Sequence, residues 1–292
     1  NDVNEAATRV IYTKIVTPGD VVFDCGANCG LHTRNLVSLV GPAGRVHAFE
    51  PNPELFATIL AFGPTVRLWP FAVGDALAIR TLFTPEGLDG WASLTDISPL
   101  LEDRRIAQRT TIQVPIDDLT ELRDAEVRFA KIDVERNELP ALRGMLGLLA
   151  RCRPVIILES INAEIIGLLA GLGYGVWDLT GTRVENNEAI LPNAAALPED
   201  MPPERVAELL LSTDELRELL EEALRPPEPE APAEIAQPAA PSPPPPPPPE
   251  PEPEPEPAVT REQELEAQVA RMTSSLSWRV TKPLRFIRSR LG

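Results

Sequence analysis

Cysteine is scarce in this chain of 292 residues, which contains only Cys25, Cys29 and Cys152. Three cysteines cannot form a disulfide framework. No set of histidine or cysteine partners lies near Cys25 and Cys29 in the sequence, so a zinc site is not predicted. No apolar run is long enough to span a bilayer, and no segment has the pattern of a signal peptide. These absences exclude a disulfide-stabilised secreted domain and predict a protein of the reducing cytoplasm.

Basic residues are also few relative to acidic ones, with 27 Lys and Arg against 44 Asp and Glu and a net charge of -17. Binding to nucleic acid requires a basic face that contacts phosphates, so this balance argues against a nucleic-acid partner for the body of the chain. Part of the acidic excess lies in residues 226–258, which carry seven Glu and no basic residue.

The rest of the chain is arranged around the stretch from Val21 to Gly30, which reads Val-Val-Phe-Asp-Cys-Gly-Ala-Asn-Cys-Gly. Apolar residues run into an acid, a glycine-bracketed turn follows, and a helical pattern comes next, which predicts the first half of a βαβ unit. A second predicted strand, Arg45 to Glu50, ends in an acid about twenty residues after the turn, where an acid commonly accepts hydrogen bonds from a ribose hydroxyl pair. The pattern therefore predicts a nucleoside-cofactor site.

The composition of the turn indicates which cofactor binds. A dinucleotide site has the pattern G-x-G-x-x-G, in which the backbone and a helix N-terminus meet a pyrophosphate. Here Asp24 stands at the first glycine position, where its carboxylate would repel a pyrophosphate but suits S-adenosylmethionine, which carries an ammonium and a sulfonium. The residues predicted to bind this cofactor are Asp24, Gly26, Ala27, Asn28, Gly30, Thr33, Glu50 and Asp75. An ordinary βα turn is the alternative interpretation.

Strand and helix patterns alternate along the first 200 residues. Strands are predicted at 66–73, 127–133, 155–159 and 175–178, with a short one near Ile190, and helices at 1–17, 54–62, 139–149 and 163–170. This alternation predicts an α/β fold with a doubly wound parallel sheet whose ligands bind at the carboxyl ends of the strands. The acids predicted at those ends are Asp24, Glu50, Asp75, Asp133 and Glu159. Asp75 either reaches the adenine amino group or simply forms a turn after Gly74.

Two short strands, 80–83 and 111–114, are separated by some twenty-seven residues with little periodicity. A loop of that length inside a compact domain is usually functional or disordered. We therefore expect the loop to border the pocket for the molecule that accepts the methyl group of the cofactor. Trp91 is predicted to form one wall of that pocket. The alternative is that Trp91 fills a small satellite cluster.

At this point the chain resembles the FkbM family of S-adenosylmethionine-dependent methyltransferases. The matching motifs are Val-Val-Phe-Asp-Cys-Gly-Ala-Asn-Cys-Gly-Leu-His-Thr (21–33), Val-His-Ala-Phe-Glu-Pro-Asn-Pro (46–53) and Lys-Ile-Asp-Val-Glu (131–135), with support from Phe-Ala-Val-Gly-Asp (71–75), Trp-Ala-Ser-Leu (91–94) and Val-Pro-Ile-Asp-Asp-Leu (114–119). The resemblance covers roughly residues 15–195. It implies a class I methyltransferase fold, Rossmann-like with a seven-stranded sheet, and O-methylation of hydroxyls on natural products, sugars or glycans.

One residue departs from the family pattern. The family usually has Gly after Lys-Ile-Asp-Val-Glu, where this chain has Arg136. If the turn needs positive φ, arginine adopts it at a cost on the order of 1 kcal/mol. Its guanidinium is predicted to contact an anionic acceptor, and Trp91, Arg136 and Glu159 form the predicted substrate-binding set.

A saccharide hydroxyl is a poor nucleophile, so a base or a metal should assist the transfer. Asp133 or Glu135 is predicted to orient or deprotonate the acceptor, with Lys131 supporting the local charge. An alternative that we do not favour makes Asp133, Glu135 and Glu159 the ligands of a magnesium-type ion. His32 is a further candidate base, whereas His47 is predicted to be structural.

The sequence after residue 200 predicts three further segments. Residues 201–225 contain an amphipathic helix from 203 to 225, and residues 226–258 form a polyproline spacer rich in Glu and unable to fold into a core. Residues 259–292 form a short helical, basic tail, and 275–285 resemble a segment of bacterial glycan-assembly glycosyltransferases. The tail composition predicts an assembly partner or weak contact with the inner face of a membrane.

These inferences predict an S-adenosylmethionine-dependent O-methyltransferase in residues 1–200 that acts on a hydroxyl of a saccharide or surface glycan. The alternative is a catalytically degenerate, methyltransferase-like binding module within a glycan-assembly complex. Arg136 keeps that alternative open, because it departs from the family at a turn beside the predicted catalytic residues.

Overall fold

A computed structural model describes residues 3–87, 91–101, 104–185 and 193–224. The chain divides into two units, Asn1–Glu228 and Pro229–Gly292, and every described residue belongs to the first. None of the described helices is both long enough and apolar enough to cross a membrane. The predicted spacer and basic tail, and the strand predicted near Ile190, lie outside the described residues.

The first unit alternates strands and helices. Its strands are β1 (Val21–Cys25), β2 (Arg45–Phe49), β3 (Val66–Trp69), β4 (Ala72–Val73), β5 (Ala78–Pro85), β6 (Ile106–Val114), β7 (Val127–Ile132), β8 (Val155–Leu158), β9 (Tyr174–Asp178) and β10 (Ala194–Pro198). Its α-helices are α1 (Val3–Thr13), α2 (Leu31–Val40), α3 (Phe56–Leu60), α4 (Glu138–Arg143), α5 (Leu146–Cys152), α6 (Ala163–Gly171), α7 (Pro203–Leu209) and α8 (Thr213–Leu224).

Seven of the strands form one sheet in the order β3-β2-β1-β7-β8-β10-β9. Neighbours from β3 to β8 pair in parallel, which confirms the doubly wound α/β fold. β10 differs from the all-parallel prediction, since it lies antiparallel between β8 and β9. The order reverses at β1, where β2 lies on one side and β7 on the other. Ligands of such sheets bind in the crevice at this reversal.

Helices cover both faces of the sheet because its central strands are apolar on both sides. In β1, Phe23 packs into a core with residues of α4, α5 and α6, such as Leu149. The preceding residue, Val22, packs on the other face of the sheet in a second core with Ile11 of α1 and Leu36 of α2. Successive side chains of a strand point to opposite faces, so a strand covered on both sides reads as a continuous apolar run.

The strand predicted at 66–73 is two separate strands. Pro70 follows β3 directly and has no N–H to continue the ladder, so the chain leaves the main sheet there. β4 then pairs with β6 in a second sheet of order β4-β6-β5. Asp75 follows β4, is exposed, and does not lie at the end of a main-sheet strand, which corrects that part of the prediction.

The strands predicted at 80–83 and 111–114 are longer than their apolar pattern indicated. β5 and β6 pair antiparallel from Ala78 opposite Gln113 to Pro85 opposite Ile106. The connection between them is correspondingly shorter than predicted. Much of this arm faces solvent on both sides, with Ile79 76% exposed, so hydrophobic alternation does not mark the full strands.

The helix predicted at 203–225 is broken into α7 and α8. Leu209, Leu210 and Leu211 are buried at the break, and the Leu211 N–H donates to the Leu179 carbonyl at 2.7 Å. α8 begins with a capping box, in which the Ser212 N–H donates to the Glu215 carboxylate at 2.8 Å and the Glu215 N–H donates to the Ser212 hydroxyl at 3.2 Å. The helix predicted at 139–149 is likewise two helices, α4 and α5.

Candidate active site

The turn after β1 passes directly beneath the end of β7. Gly26 has φ +80, and a Cβ added there would lie 1.7 Å from the backbone oxygen of Asp133. The Gly26 and Ala27 N–H groups both donate to the Phe49 carbonyl, at 3.0 and 3.1 Å. Only glycine allows the two strand ends to approach this closely, so the glycine predicted from the sequence is a packing requirement of the cleft.

Gly30 is the second glycine of the turn and caps the start of α2 with φ +82. A Cβ at this position would lie 2.3 Å from the Phe62 side chain. Both predicted glycines of the turn therefore have left-handed backbone and closely approaching neighbours.

Asp24 is fully buried inside β1. The Thr33 hydroxyl donates to its Oδ2 at 2.6 Å, whereas its Oδ1 is buried without a hydrogen-bond partner among the described residues. A buried carboxylate oxygen without a donor is costly. Buried Lys131 already interacts with the Asp24 charge. The ammonium of S-adenosylmethionine would donate the hydrogen bond that Oδ1 lacks, so this part of the site fits that cofactor.

Glu50 follows β2 and accepts two backbone hydrogen bonds. The Asn28 N–H donates to one carboxylate oxygen at 2.8 Å and the Asn52 N–H donates to the other at 2.7 Å. Burial raises the pKa of Glu50 to about 7, although these two N–H groups lower it. Asn28 has φ 50, a left-handed conformation that aims its N–H at the carboxylate. Glu50 is thus held in place after β2, with each carboxylate oxygen bonded to one backbone N–H.

An open cleft runs between the turn, the ends of β2 and β7, and the β4–β6 arm. Its lining residues are Gly26, Asn28, Phe49, Glu50, Pro51, Phe71, Ala72, Val73, Leu82, Ala92, Leu94, Asp133, Val134, Glu135 and Asn137. Five of the predicted site residues are among them, namely Gly26, Asn28, Glu50, Asp133 and Glu135. The other predicted residues are not part of this lining: Asp24, Ala27, Gly30, Thr33, Asp75, Trp91, Lys131, Arg136 and Glu159.

Three titratable groups, Lys131, Asp133 and Glu159, lie together at the ends of β7 and β8. Buried Lys131 donates to the Asp133 carboxylate at 2.6 Å. Burial opposes the charge on Asp133, but Lys131 and a hydrogen bond with Glu159 hold the pKa of Asp133 below its ordinary value. Burial, the hydrogen bond with Asp133 and its charge raise the pKa of Glu159 to about 9. At neutral pH Asp133 is therefore ionised and paired, and Glu159 is protonated.

Glu135 lies in the same wall of the cleft in a different electrostatic setting. Burial and the neighbouring charges of Asp133 and Glu138 raise the pKa of Glu135 to about 7. Its backbone has φ 46, and the hydroxyl of buried Ser93 donates to its carbonyl at 2.7 Å. Glu135 is thus a carboxyl group that exchanges a proton near neutral pH, held by a bond to the loop between β5 and β6.

Comparison with known sequences identifies the family of this chain. The sequence profile described as "Methyltransferase FkbM domain" matches residues 24–176, just over half of the 292 residues. The chain belongs to the FkbM methyltransferase family. It is therefore an S-adenosylmethionine-dependent methyltransferase, as its motifs predicted.

Individual relatives align with about the same share of this FkbM-family chain, between 60% and 66%. The 31-O-demethyl-FK506 methyltransferase FkbM of Streptomyces tacrolimicus is 28% identical over an alignment of 220 residues, and the match covers 60% of this chain and 84% of that protein. A crystal structure of methyltransferase FkbM from Methylobacillus flagellatus is 16% identical, with a TM-score of 0.39 over 63% of this chain and 49% of that one. The chain thus spans about half the length of that solved protein. Aeropyrum pernix fibrillarin, solved with bound S-adenosyl-L-methionine, is 11% identical, with a TM-score of 0.36 over 66% of this chain and 75% of that one.

The residue that departs from the FkbM pattern occupies the left-handed turn that the sequence suggested. Arg136 has φ 70 and is exposed, and its N–H donates to the Glu138 carboxylate at 3.3 Å. The turn is therefore formed with arginine in place of glycine, and its geometry keeps Glu135 in the cleft wall. The proposed contact of Arg136 with an anionic acceptor stays a prediction.

Restoring glycine should stabilise this turn. We expect Arg136→Gly to raise the free energy of unfolding by about 1 kcal/mol, because glycine takes φ 70 without a Cβ penalty. Denaturant unfolding of the full chain measures the change. The matched control is Arg123→Gly, at an exposed position with φ -55, which should lower stability. A loss of stability in both variants would show that Arg136 is not strained.

Neither histidine of the FkbM domain lines the cleft. His32 is buried against α1, where its Nε2 pairs with the Glu5 carboxylate and its Nδ1 lies 3.3 Å from the Tyr12 hydroxyl. With both ring nitrogens engaged, His32 is not positioned as the acceptor's base. Burial and nearby arginines lower the pKa of His47 to about 4, and the Trp69 indole N–H donates to its Nδ1 at 3.0 Å. This arrangement agrees with the predicted structural role of His47.

Several residues that line the cleft belong to the matching sequence motifs but were not among the predicted site residues. Trp91 is 49% exposed and does not line the cleft, whereas Ala92 and Leu94 of the same Trp-Ala-Ser-Leu motif do. Phe71, Ala72 and Val73 come from another supporting motif, Phe-Ala-Val-Gly-Asp. The motifs were the available signal, because none of these apolar residues carries a distinctive chemistry by itself. The role of Trp91 at the acceptor stays a prediction.

Proposed function

We propose that this FkbM-family enzyme transfers a methyl group to a hydroxyl of a saccharide or surface glycan. The observation that carries the proposal is Glu135, a carboxyl group with its pKa raised to about 7 in the wall of the cofactor cleft. A base whose pKa lies near the operating pH is the most effective kind for removing a hydroxyl proton.

The residues that would hold the cofactor are those whose hydrogen-bonding capacity is incomplete. Glu50 offers its carboxylate to the ribose hydroxyls from the lining of the cleft. Asp24, which is buried and outside that lining, would offer its unpartnered Oδ1 to a cationic group of the cofactor. Gly26 leaves room for the cofactor to approach the backbone. When bound there, S-adenosylmethionine supplies an electrophilic methyl group on a sulfonium.

Of the two carboxylates predicted as the base, Glu135 is the better candidate. Asp133 is ion-paired with Lys131 and has a lowered pKa, so it is a weak proton acceptor at neutral pH. Its role in the proposal is to position Lys131 and Glu159 beside the reacting groups. Glu135 accepts the hydroxyl proton as the oxygen attacks, and the proton then passes to solvent through the open cleft.

The acceptor side of the cleft combines apolar and polar surface. Phe71, Leu82 and Leu94 provide the apolar part, and Glu135 and Asn137 provide polar groups. A saccharide ring has an apolar C–H face and a hydroxyl edge, which suits a wall of this composition. The name of the Streptomyces tacrolimicus relative describes O-methylation of a different compound, FK506, and so supports a hydroxyl acceptor in general.

A methylation assay with mass spectrometry tests the acceptor class. Purified full-length chain is incubated with S-adenosylmethionine and surface glycans extracted from cells that lack the protein. We expect a mass increase of one methyl group on a glycan hydroxyl, absent with the Glu135→Gln variant. No methylation of these glycans by natural chain that binds S-adenosylmethionine would refute the glycan assignment.

The metal alternative concerns the same carboxylates. Single ligand oxygens of Asp133, Glu135 and Glu159 all lie within 4.8 Å of one another. Lys131 already balances Asp133, and a proton balances Glu159, so the cluster is stable with groups that the chain itself supplies. We therefore propose a metal-independent reaction, for which turnover should be unchanged after exhaustive chelation.

Cofactor affinity should depend on pH through Glu50. Ribose hydroxyls donate to the carboxylate form, so binding is linked to loss of the proton whose pKa is about 7 in the free protein. We expect the dissociation constant for S-adenosylmethionine to fall as pH rises from about 6 to 8 and then to level off. Calorimetry across this range measures the trend. A Glu50→Gln variant should bind weakly without this pH dependence, and an equally steep dependence in the variant would contradict the assignment.

The tail, residues 259–292, is proposed to recruit a glycan-assembly partner or to attach weakly to an anionic membrane surface. The support is compositional, since six basic residues and no acid follow from Arg271 onward. Flotation of the full chain with anionic vesicles tests the membrane arm. A chain truncated after residue 258 should float less, and equal flotation of the two would exclude this role.

A further inference from the structure

A second cavity lies at the opposite edge of the seven-stranded sheet from the cleft, where β7 and β8 begin. Its volume is about 150 Å³, and its lining includes the first residues of both strands, Val127 and Val155, with three arginines, Arg128, Arg153 and Arg205. None of the described carboxylates lines it. An apolar cavity of about this volume is large enough for a ligand the size of benzene. The cavity therefore combines the capacity for a small molecule with a concentration of positive charge.

Arg153 is held rigidly at this cavity with one donor unused. It ends α5 in a left-handed conformation with φ 47 and ψ 50. Its Nη1 donates to Asp200 at 2.9 Å and its Nη2 donates to the Gly173 carbonyl at 3.2 Å. Its Nε is buried and has no hydrogen-bond partner in the part of the chain that the structure describes. A buried donor without an acceptor is costly, and an anion in the cavity would satisfy it.

The other two arginines also contribute positive charge to the lining of the cavity. Arg205 is anchored through its Nη2, which donates to the Lys14 carbonyl at 3.3 Å, and through its Nη1, which donates to Glu208 at 2.9 Å. Arg128 has no hydrogen-bond or ion-pair partner within residues 3–87, 91–101, 104–185 and 193–224. The acids that pair with Arg153 and Arg205 are themselves 70% and 66% exposed, so solvent weakens their neutralising effect.

We propose that this cavity binds a small oxyanion of the phosphate class, held by Arg128, Arg153 and Arg205. The planar guanidinium group pairs with phosphate oxygens through parallel N–H donors, which favours this class over a simple halide. The apolar walls at Val127 and Val155 would cover the organic part of a phosphate monoester. The site is independent of methyl transfer, because the cleft lies at the carboxyl ends of the strands and this cavity at their amino ends.

Calorimetry with inorganic phosphate tests the proposal. The full chain is saturated with S-adenosylmethionine, to occupy the cleft, and titrated at constant ionic strength with chloride as the reference anion. We expect saturable phosphate binding, with the dissociation constant raised about tenfold or more by Arg128→Gln combined with Arg205→Gln. Arg153→Lys, which keeps the charge but removes Nε, should weaken binding in the same direction.

Arg217→Gln is the matched control, because it removes one exposed arginine of α8 that does not line the cavity and is paired with Asp214. It should leave the phosphate affinity unchanged. Thermal unfolding of each variant without phosphate shows whether the variant folds. If the double variant does not fold, Arg153→Lys still tests the proposal. Phenyl phosphate binding more tightly than inorganic phosphate would identify a monoester as the ligand, and the reverse order would identify the free ion. No phosphate binding by the natural chain, or equal affinity in all variants, would overturn the proposal.

Discussion

Replacement of Gly26 by alanine is expected to abolish binding of S-adenosylmethionine and to lower the rate of methyl transfer at least about a hundredfold. The added Cβ would lie 1.7 Å from the backbone oxygen and 2.8 Å from the backbone carbon of Asp133. No side-chain rotation relieves a clash with backbone atoms, so the turn after β1 or the end of β7 must move. Both carry cleft residues, and displacements of about 1 Å in such sites cost about a hundredfold in rate.

The control for this variant is Gly63→Ala. Gly63 also has positive φ, at +90, but a Cβ there would meet nothing within 4 Å. It should therefore lose about 1–2 kcal/mol of stability, as the left-handed backbone requires, while cofactor affinity stays the same. Calorimetry with the cofactor and a methyl-transfer assay measure both variants. Natural affinity in folded Gly26→Ala would show that the turn does not form the cofactor site.

Substitution of Glu135 by glutamine is expected to lower kcat by about 10²–10⁴ while the affinity for S-adenosylmethionine stays unchanged. The amide keeps the shape of the side chain but cannot accept the hydroxyl proton. Because the pKa of Glu135 is raised to about 7, the reactive carboxylate form accumulates as pH rises. The rate of the natural enzyme should therefore increase with pH and level off above about 7, and this limb of the profile should be lost in the variant.

Two further variants separate a base from a merely structural carboxylate. Glu121→Gln removes an exposed carboxylate that pairs with Arg67 and should leave kcat unchanged. Asp133→Asn leaves the buried Lys131 cation without its partner and should lower the free energy of unfolding by about 3–5 kcal/mol. If Glu135→Gln retains normal turnover and the natural pH profile, the proton is removed by another group.

Of the eight residues predicted to bind the cofactor, three line the cleft, namely Gly26, Asn28 and Glu50. Asp24, Gly26 and Glu50 stand at positions where strand patterns end, and a continuous apolar run marks β8 because both its faces are buried. The predicted bounds of strands and helices were wrong where only part of an element is buried, or where a short local signal interrupts the apolar pattern. Pro70 ends β3, and Ser212 with Glu215 forms the capping box that starts α8. Both signals are present in the sequence, but the apolar periodicity hides them.

The sequence by itself determined the family, the α/β fold and the type of cofactor, because the acid, the glycines and the second acid are separated by short, regular stretches of chain. Only the tertiary structure decided how the pKa values of the three carboxyl groups at the ends of β7 and β8 differ. Asp133, Glu135 and Glu159 are chemically alike in the sequence, and their different pKa values arise from burial and from Lys131. Desolvation and Coulomb interactions act through space, so they depend on which strand ends meet.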